Sequence, residues 1–368
     1  MNIIKIALLA LGLMLSCTLQ AQQRLLMVLS SYGQKDAEQN LIKPGFEFDE
    51  LAKAYQVFVN NGIEVDIASP SGGQPVADNY DVKKEYNHAF INDVRAMGKL
   101  RNSLKLSAVN ASDYQGIFVV GGKGPMFDLY QDESLQKLIR DIWENKGIVS
   151  AVCHGPAALV DVKLSDGSYL VAGKKVNGFT NEEEAAFGKK WRSQFAFLLE
   201  DKLRARGANF EHSPMMLNHV AVDGRLITGQ NPFSTVDTAI STLKAMGTEP
   251  TFIPAYQDDK TIRLVRRLIN GESYTTEQLV AEQVQAELIG SYGYYVARFA
   301  KTDQDRKKAI KLMELVSPLI RQPMLELSIA ENHQALGNYQ QAKTTLITLL
   351  ETHPDLEQAQ QMLDGLNK

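Results

Sequence analysis

The sequence predicts an α/β fold, a mostly parallel sheet sandwiched by helices, followed by a small all-α helical domain. Three observations carry this. Between residues 24 and 247 short apolar runs alternate with amphipathic stretches at helical spacing, the order of a parallel sheet covered by helices. Residues 248–259, "TEPTFIPAYQDD", form a Pro-containing linker, and residues 260–368 carry an almost wholly helical pattern. The 368 residues suit about two domains, and a composition of 44% hydrophobic and 22% charged residues is that of a globular chain.

Taken in order, residues 1–21 read as an export signal: Lys5, the ten apolar residues "IALLALGLML", then small and polar residues up to Ala21. A bilayer span needs about 20 apolar residues, so the stretch is too short to be one. Cleavage after Ala21 implies an exported, periplasmic protein. The alternative is a lipid-modified Cys17, for which Met14 and Leu15 make a poor signal. Removal of the leader leaves Cys153 as the remaining thiol, and an exported chain with one unpaired thiol invites a search for a reactive cysteine. "RLLMVLSS" (24–31) is a strand, and "FDELAKAYQVFVNNG" (48–62) is a helix stopped at Asn-Gly. "IEVDIASP" (63–70) is a strand, and "YQGIFVVGGKG" (114–124) a strand running into a glycine loop. "DESLQKLIRDIWENKG" (132–147) is an amphipathic helix with acids at its start and Gly147 after its end. "IVSAVC" (148–153) is a short strand, after which "HGPAALV" begins a helix. Then come a strand-like 174–180, a helix over 191–207, a hairpin around Asp-Gly in 220–229 and a helix over 231–247. In the tail, Gly337, Tyr339, Ala342 and Pro354 stand at tetratricopeptide-repeat spacing within 327–354. Glu326 stands where that repeat has Trp, and Tyr294, Ala297 and Ala309 suggest a degenerate earlier unit; a plain helical hairpin is the simpler reading.

The chemistry concentrates at "AVCHGP" (151–156). A nucleophile at a sharp strand-to-helix turn stands above the sheet edge, where backbone N–H groups stabilise an oxyanion and a helix start lowers a thiol's pKa. Open α/β sheets bind ligands at the carboxyl ends of their strands. Cys153 ends one such strand and Gly121-Gly122 end another, with the Gly122 N–H as the second oxyanion donor. Glu50 opens the first helix at the same sheet edge, and Glu184 in "GFTNEEEA" stands where it would orient His154. The plainer readings are an inert core cysteine, a solvated acidic run at Glu182–Glu184, and ordinary roles for His88, His212 and His219, which lack ligand spacing. A lone Cys-His pair supplies two ligands where structural zinc takes four, so no metal is expected. "GGKG" lacks the spacing of a nucleotide fingerprint, so no cofactor is expected either. The net charge of −4 offers no electrostatic grip on nucleic acid or an anionic membrane.

The segments "GFEFDELAKAYQVF", "GIEVDIASPSGG", "DYQGIFVVGGKGPMFDL", "AVCHGPAAL", "VNGFTNEEE" and "GRLITGQNPFS" together resemble the ThiJ/PfpI superfamily, the class I glutamine amidotransferase-like fold. Within it they most resemble the branch of stress-response chaperones and glutathione-independent glyoxalases. The resemblance implies a flavodoxin-like domain over 24–247 and a homodimer. It also implies Cys153 as nucleophile, His154 as its proton-transferring partner, Glu50 as the carboxylate near the thiol and Glu184 as third triad member. Gly122 and the His154 amide match the oxyanion hole. Many relatives have His where Lys123 stands in the Gly-Gly-x-Gly loop, and some use that His in a metal site; Lys123 removes that ligand. The activity implied is conversion of methylglyoxal, a small reactive carbonyl, to D-lactate without a cofactor, or a related deglycase or hydrolase reaction. The alternative is a holdase that binds unfolded protein or peptide through the C-terminal helices, with Cys153 as a redox sensor.

Overall fold

The computed structural model describes residues 22–367; residues 1–21, read above as an export signal, and with them Cys17, lie outside the described residues. The strands are β1 (Arg24–Val28), β2 (Gln34–Lys35), β3 (Leu41–Lys43), β4 (Glu64–Ser69), β5 (Leu104–Lys105), β6 (Gly116–Val119), β7 (Ile148–Val152), β8 (Lys175–Val176), β9 (Asn209–Phe210), β10 (Val220–Asp223) and β11 (Leu226–Gly229). Seven of them form the central sheet in the order β10-β11-β7-β6-β1-β4-β5. Every pair in it is parallel except the β10–β11 hairpin at one edge. From β1 the chain moves outward to β4 and β5, then returns to β6 on the other side of β1 and moves outward to β7. The strand order therefore reverses between β1 and β6, where the crevice at the carboxyl ends suits a ligand.

Helices flank this sheet. α1 (Phe48–Asn60) leads from the β2–β3 ribbon to β4, α2 (Glu85–Asn92) and α3 (Val94–Arg101) fill the long connection before β5, and α4 (Glu133–Glu144) joins β6 to β7. α5 (Asn181–Phe187) and α6 (Leu199–Ala205) lie between β8 and β9, and α7 (Thr235–Ala245) follows β11. β1, β6 and β7 are apolar almost throughout because both sheet faces are covered: Leu25, Leu26, Met27, Ile117, Phe118, Val149 and Ala151 are fully buried.

Several expected elements change. The strand at 24–31 stops at Val28, and that at 174–180 shrinks to Lys175–Val176. "HGPAALV" makes only a 3₁₀ turn, Gly155–Leu159, with Pro156 in its first turn and small buried residues that bring it close to the sheet. The helix expected over 191–207 is broken into a 3₁₀ turn, Lys189–Gln194, and α6. Phe195 and Phe197 in the break pack edge-on against Phe127 and Tyr130, at 5.4 and 5.2 Å between ring centroids, and this aromatic contact overrides the helical pattern.

Beyond the sheet come α8 (Gln257–Ile269), α9 (Thr276–Ala281), α10 (Ala286–Arg298), α11 (Asp303–Ile320), α12 (Pro323–Ala335), α13 (Tyr339–Thr352) and α14 (Glu357–Leu366). The expected linker is shorter than 248–259, because α8 starts at Gln257 and buries Asp258 and Asp259. A second core joins the two parts: Met215, Met216 and Leu217 of the α/β part share it with Ile262, Val265, Ile289, Tyr292 and Met313. A third, smaller core lies within α12–α14. There Gly337 turns the chain at φ +76°, Ala342 is buried and Tyr339 is exposed.

Candidate active site

β7 ends at Val152, and Cys153 follows it with φ +61°, the left-handed region that side chains other than glycine seldom adopt. The strain is held from both sides. The Cys153 N–H donates to Gly229 O at 2.8 Å on β11, and its carbonyl accepts from Phe179 N–H at 2.8 Å. This bend lifts the thiol off the strand end toward the crevice, as in a nucleophile elbow.

His154 follows directly. Its Nδ1 lies 3.5 Å from the Cys153 Sγ, and its Nε2 lies 2.7 Å from Glu184 Oε2. Glu184 is held in the first turn of α5 by a capping box between Thr180 and Glu183. The imidazole is buried and packs 4.4 Å from the Phe179 ring centroid. Glu184 is buried as well, so this pair is shielded from water.

Glu50 reaches the thiol from α1. Its Oε2 accepts the Gly121 N–H at 2.7 Å, and the carboxyl lies close enough to the thiol to act on it electrostatically, while its Oε1 has no hydrogen-bond partner among the described residues. The approach requires glycine at position 121, because a Cβ there would lie 2.7 Å from both Glu50 Oε2 and Cys153 Cβ. Gly122 takes φ +86° and turns its amide toward the sulfur. Among the described residues neither that amide nor the His154 amide donates to a backbone carbonyl, which leaves both to face an oxyanion.

The electrostatics correct one expectation. Burial, followed by the Glu50 carboxyl, pushes the Cys153 thiol well above its usual pKa; the Gly122 amide acts the other way but is outweighed. No long helix starts at this turn, so the dipole that was to lower the thiol's pKa is missing. Glu50 is likewise raised well above the ordinary carboxyl value, by burial first and then by Glu47. The site at rest therefore holds its protons.

The thiol opens into a cavity of about 270 Å³ lined by Glu47, Lys123, Phe179, Phe187, Met216 and Phe233, among others. All five expected residues, Cys153, His154, Glu50, Glu184 and Gly122, converge on this one place. Sequence reasoning missed Glu47, Phe187, Met216 and Phe233, which arrive from other segments. It also missed Glu183, whose Oε1 accepts from Met216 N–H at 3.0 Å and from Asn231 Nδ2 at 2.8 Å. Glu183 thus ties α5 to two wall segments of the cavity. The one signal for Glu47 was its place one helical turn before Glu50 in "GFEFDEL".

Residues 40–245 match the DJ-1/PfpI family model. A glutathione-independent glyoxalase of Schizosaccharomyces pombe is 33% identical over 236 residues, covering 61% of this chain and 96% of its own length. Glyoxalase 3 of Candida albicans is 30% identical over 243 residues, covering 60% and 98%. Among solved structures, the Rapid Encystment Protein 24 KDa of Francisella tularensis aligns with a TM-score of 0.56 at 32% identity, over 61% of this chain and 99% of that one. Glyoxalase III of Candida albicans aligns with a TM-score of 0.55 at 28% identity, over 61% and 97%. The helices from α8 onward lie outside the family match, but the match spans more than half of the chain and the relatives align along nearly their whole length: the chain belongs to the DJ-1/PfpI family.

Proposed function

We propose that this protein is a glutathione-independent glyoxalase that converts methylglyoxal to D-lactate through Cys153, His154, Glu50 and Glu184. The observation that carries the reading is the buried thiol, 3.5 Å from an imidazole, at the floor of a small, largely apolar cavity. The names of the relatives favour the same activity.

The chemistry follows from the arrangement. Because Glu184 accepts at Nε2, the neutral His154 carries its proton there and presents Nδ1 to the thiol as a base. Cys153 Sγ bonds to the aldehyde carbon as its proton passes to His154, and the carbonyl electron pair moves onto oxygen, facing the Gly122 and His154 amides. The hydrogen on that carbon then leaves as a proton, and a proton is delivered to the neighbouring carbon. One carbon is oxidised and the other reduced within one molecule, so no external electron acceptor is needed. The resulting thioester is hydrolysed to lactate, which restores the thiol. A raised thiol pKa suits this sequence: the thiol is deprotonated during attack, when the aldehyde is in place, rather than standing as a thiolate open to other electrophiles.

The test is methylglyoxal loss and lactate formation by the protein beside Cys153→Ala. We expect the variant to retain less than about a thousandth of the activity. Equal loss of methylglyoxal in the two proteins rules the reading out.

A further inference from the structure

A second carboxyl borders the thiol's cavity. Glu47 is the N-cap residue of α1, one turn ahead of Glu50, and its side chain caps nothing. Its backbone N–H donates to Gly121 O at 3.1 Å, while the Gly121 N–H donates to Glu50 Oε2 at 2.7 Å. One glycine therefore fixes both acids relative to the end of β6. The Glu47 side chain lines the 270 Å³ cavity together with Cys153 and His154. It also lines an outer cleft of about 540 Å³, which shares Pro232 and Phe233 with that cavity and continues past Tyr80 and Asp81. Glu47 thus stands where the thiol's cavity meets the outer cleft.

The groups that face it are Asp49 and Glu50 on α1, Asp78 in the connection after β4, Lys84 before α2, Lys123 after β6 and Cys153 after β7. Burial, with the Asp49 and Asp78 carboxylates, pushes its pKa up to about 8 against the weaker pull of Lys123 and Lys84. At neutral pH the raised pKa keeps its proton on, and the residue is half-buried where the cavity begins.

We propose that Glu47 is a further catalytic residue, donating its proton to the substrate's second carbonyl oxygen. The proposal rests on the glyoxalase reading above and names the substrate class, a vicinal dicarbonyl whose two oxygens face different donors. After Sγ has added to the aldehyde carbon, His154 returns the thiol's proton to the new C1 alkoxide, making the C1 hydroxyl, and the neutral imidazole then takes the C1 hydrogen as a proton. The C1–H electron pair becomes the C1–C2 double bond, and the C2 carbonyl pair moves to its oxygen, which takes the Glu47 proton. In the return step the C1 hydroxyl gives its proton to Glu47 as the C1 carbonyl re-forms, and His154 delivers a proton to C2. Glu47 ends protonated, the C2 oxygen is the product hydroxyl, and C1 is the thioester carbon. No other reactant is consumed before hydrolysis.

The experiment compares wild type, Glu47→Gln and Glu47→Asp across pH 6–10 on methylglyoxal. Wild-type kcat/KM is expected to fall above about pH 8, as Glu47 loses its proton. Glu47→Gln keeps a hydrogen-bond donor but cannot transfer a proton: kcat falls about a hundredfold, KM changes little and the alkaline limb disappears. Glu47→Asp restores part of kcat and the alkaline limb, which a merely structural role would not produce. Equal melting temperatures for wild type and Glu47→Gln exclude misfolding as the cause. Active wild type with an unchanged Glu47→Gln rate and profile overturns the Glu47 proposal alone. Wild type that consumes no methylglyoxal overturns both this proposal and the reading on which it rests.

Discussion

Glu50 spends the folded state in surroundings that oppose its ionisation: buried, and beside the acid Glu47. Its pKa is higher folded than unfolded, so between those two values the folded chain binds the extra proton. Stability is therefore greatest below the ordinary carboxyl pKa and falls as the pH climbs toward the raised folded value. Glu50→Gln removes that dependence while its amide oxygen still accepts the Gly121 N–H. We expect urea unfolding to find the variant more stable than wild type at pH 7–8, with the gap closing near pH 4, although turnover is lost. A variant less stable at pH 8 would contradict this account. At this scale the sequence was legible where chemistry and turn residues coincide: Cys153 and His154 sit against Gly155-Pro156, and Glu50 opens a helix at the right sheet edge. It was not legible where a property depends on surroundings. The thiol's pKa follows burial and Glu50 rather than a helix start, and Glu47 enters the cavity only once β6 and α1 are packed.

α1 carries a second buried ionisable group one turn beyond Glu50. Lys53 Nζ lies 2.8 Å from both Asp258 Oδ2 and Asp259 Oδ1 on α8, and 4.7 Å from the Tyr86 ring centroid on α2. Tyr86 also donates its hydroxyl to Asp258 Oδ2 at 2.9 Å. The helix that carries Glu50 is thus fastened to the first helix of the C-terminal part. Lys53→Met strands two carboxylates in the interior and should cost about 3–5 kcal/mol. Adding Asp258→Asn and Asp259→Asn should recover most of that loss, as chemical denaturation of the single and triple variants will show. No recovery would mean that the lysine stem, rather than the charge pairing, carries the contribution. α1, α4 and the buried strands were readable from their periodicity. α2 and α3 were not, because α2 buries only Tyr86, Asn87 and Phe90, and α3 only Ala96 and Leu100, too few for an apolar stripe. Asp258 and Asp259 read as polar linker because their partner is some two hundred residues away.

Over the whole molecule, the C-terminal helices reach the cavity through its walls. Phe187, which lines the cavity, packs edge-on against Tyr295 of α10 at 4.7 Å between centroids, and Met216 belongs to the core shared with α8–α11. The wall is therefore one side chain thick between substrate and extension. Phe187→Ala should widen the cavity and raise the kcat/KM ratio for phenylglyoxal over methylglyoxal about tenfold. Tyr295→Ala, which does not touch the cavity, should move the ratio in the same direction by less. If Tyr295→Ala leaves the ratio unchanged, the extension does not set the cavity's shape. The division into a sheet part and a helical part was legible in composition and period, but the shared core was not, since no pattern within one segment reports the face of another.

The Lys53 pairing has a consequence for how the two parts can be exchanged. The extension acts as an internal counter-ion for the sheet part: its carboxylates hold the lysine's pKa above the usual value in spite of burial. A proteolytic cut in residues 248–256 that releases the helices would leave an ammonium group without its anions, and the separated sheet part would have to expose or neutralise it. The helices are equally unsuited to transplantation onto another member of the fold unless that recipient offers a cation one turn after its helix-opening glutamate. The unit that natural or laboratory recombination can move intact is thus the pair of parts, joined by a charge as well as by the chain.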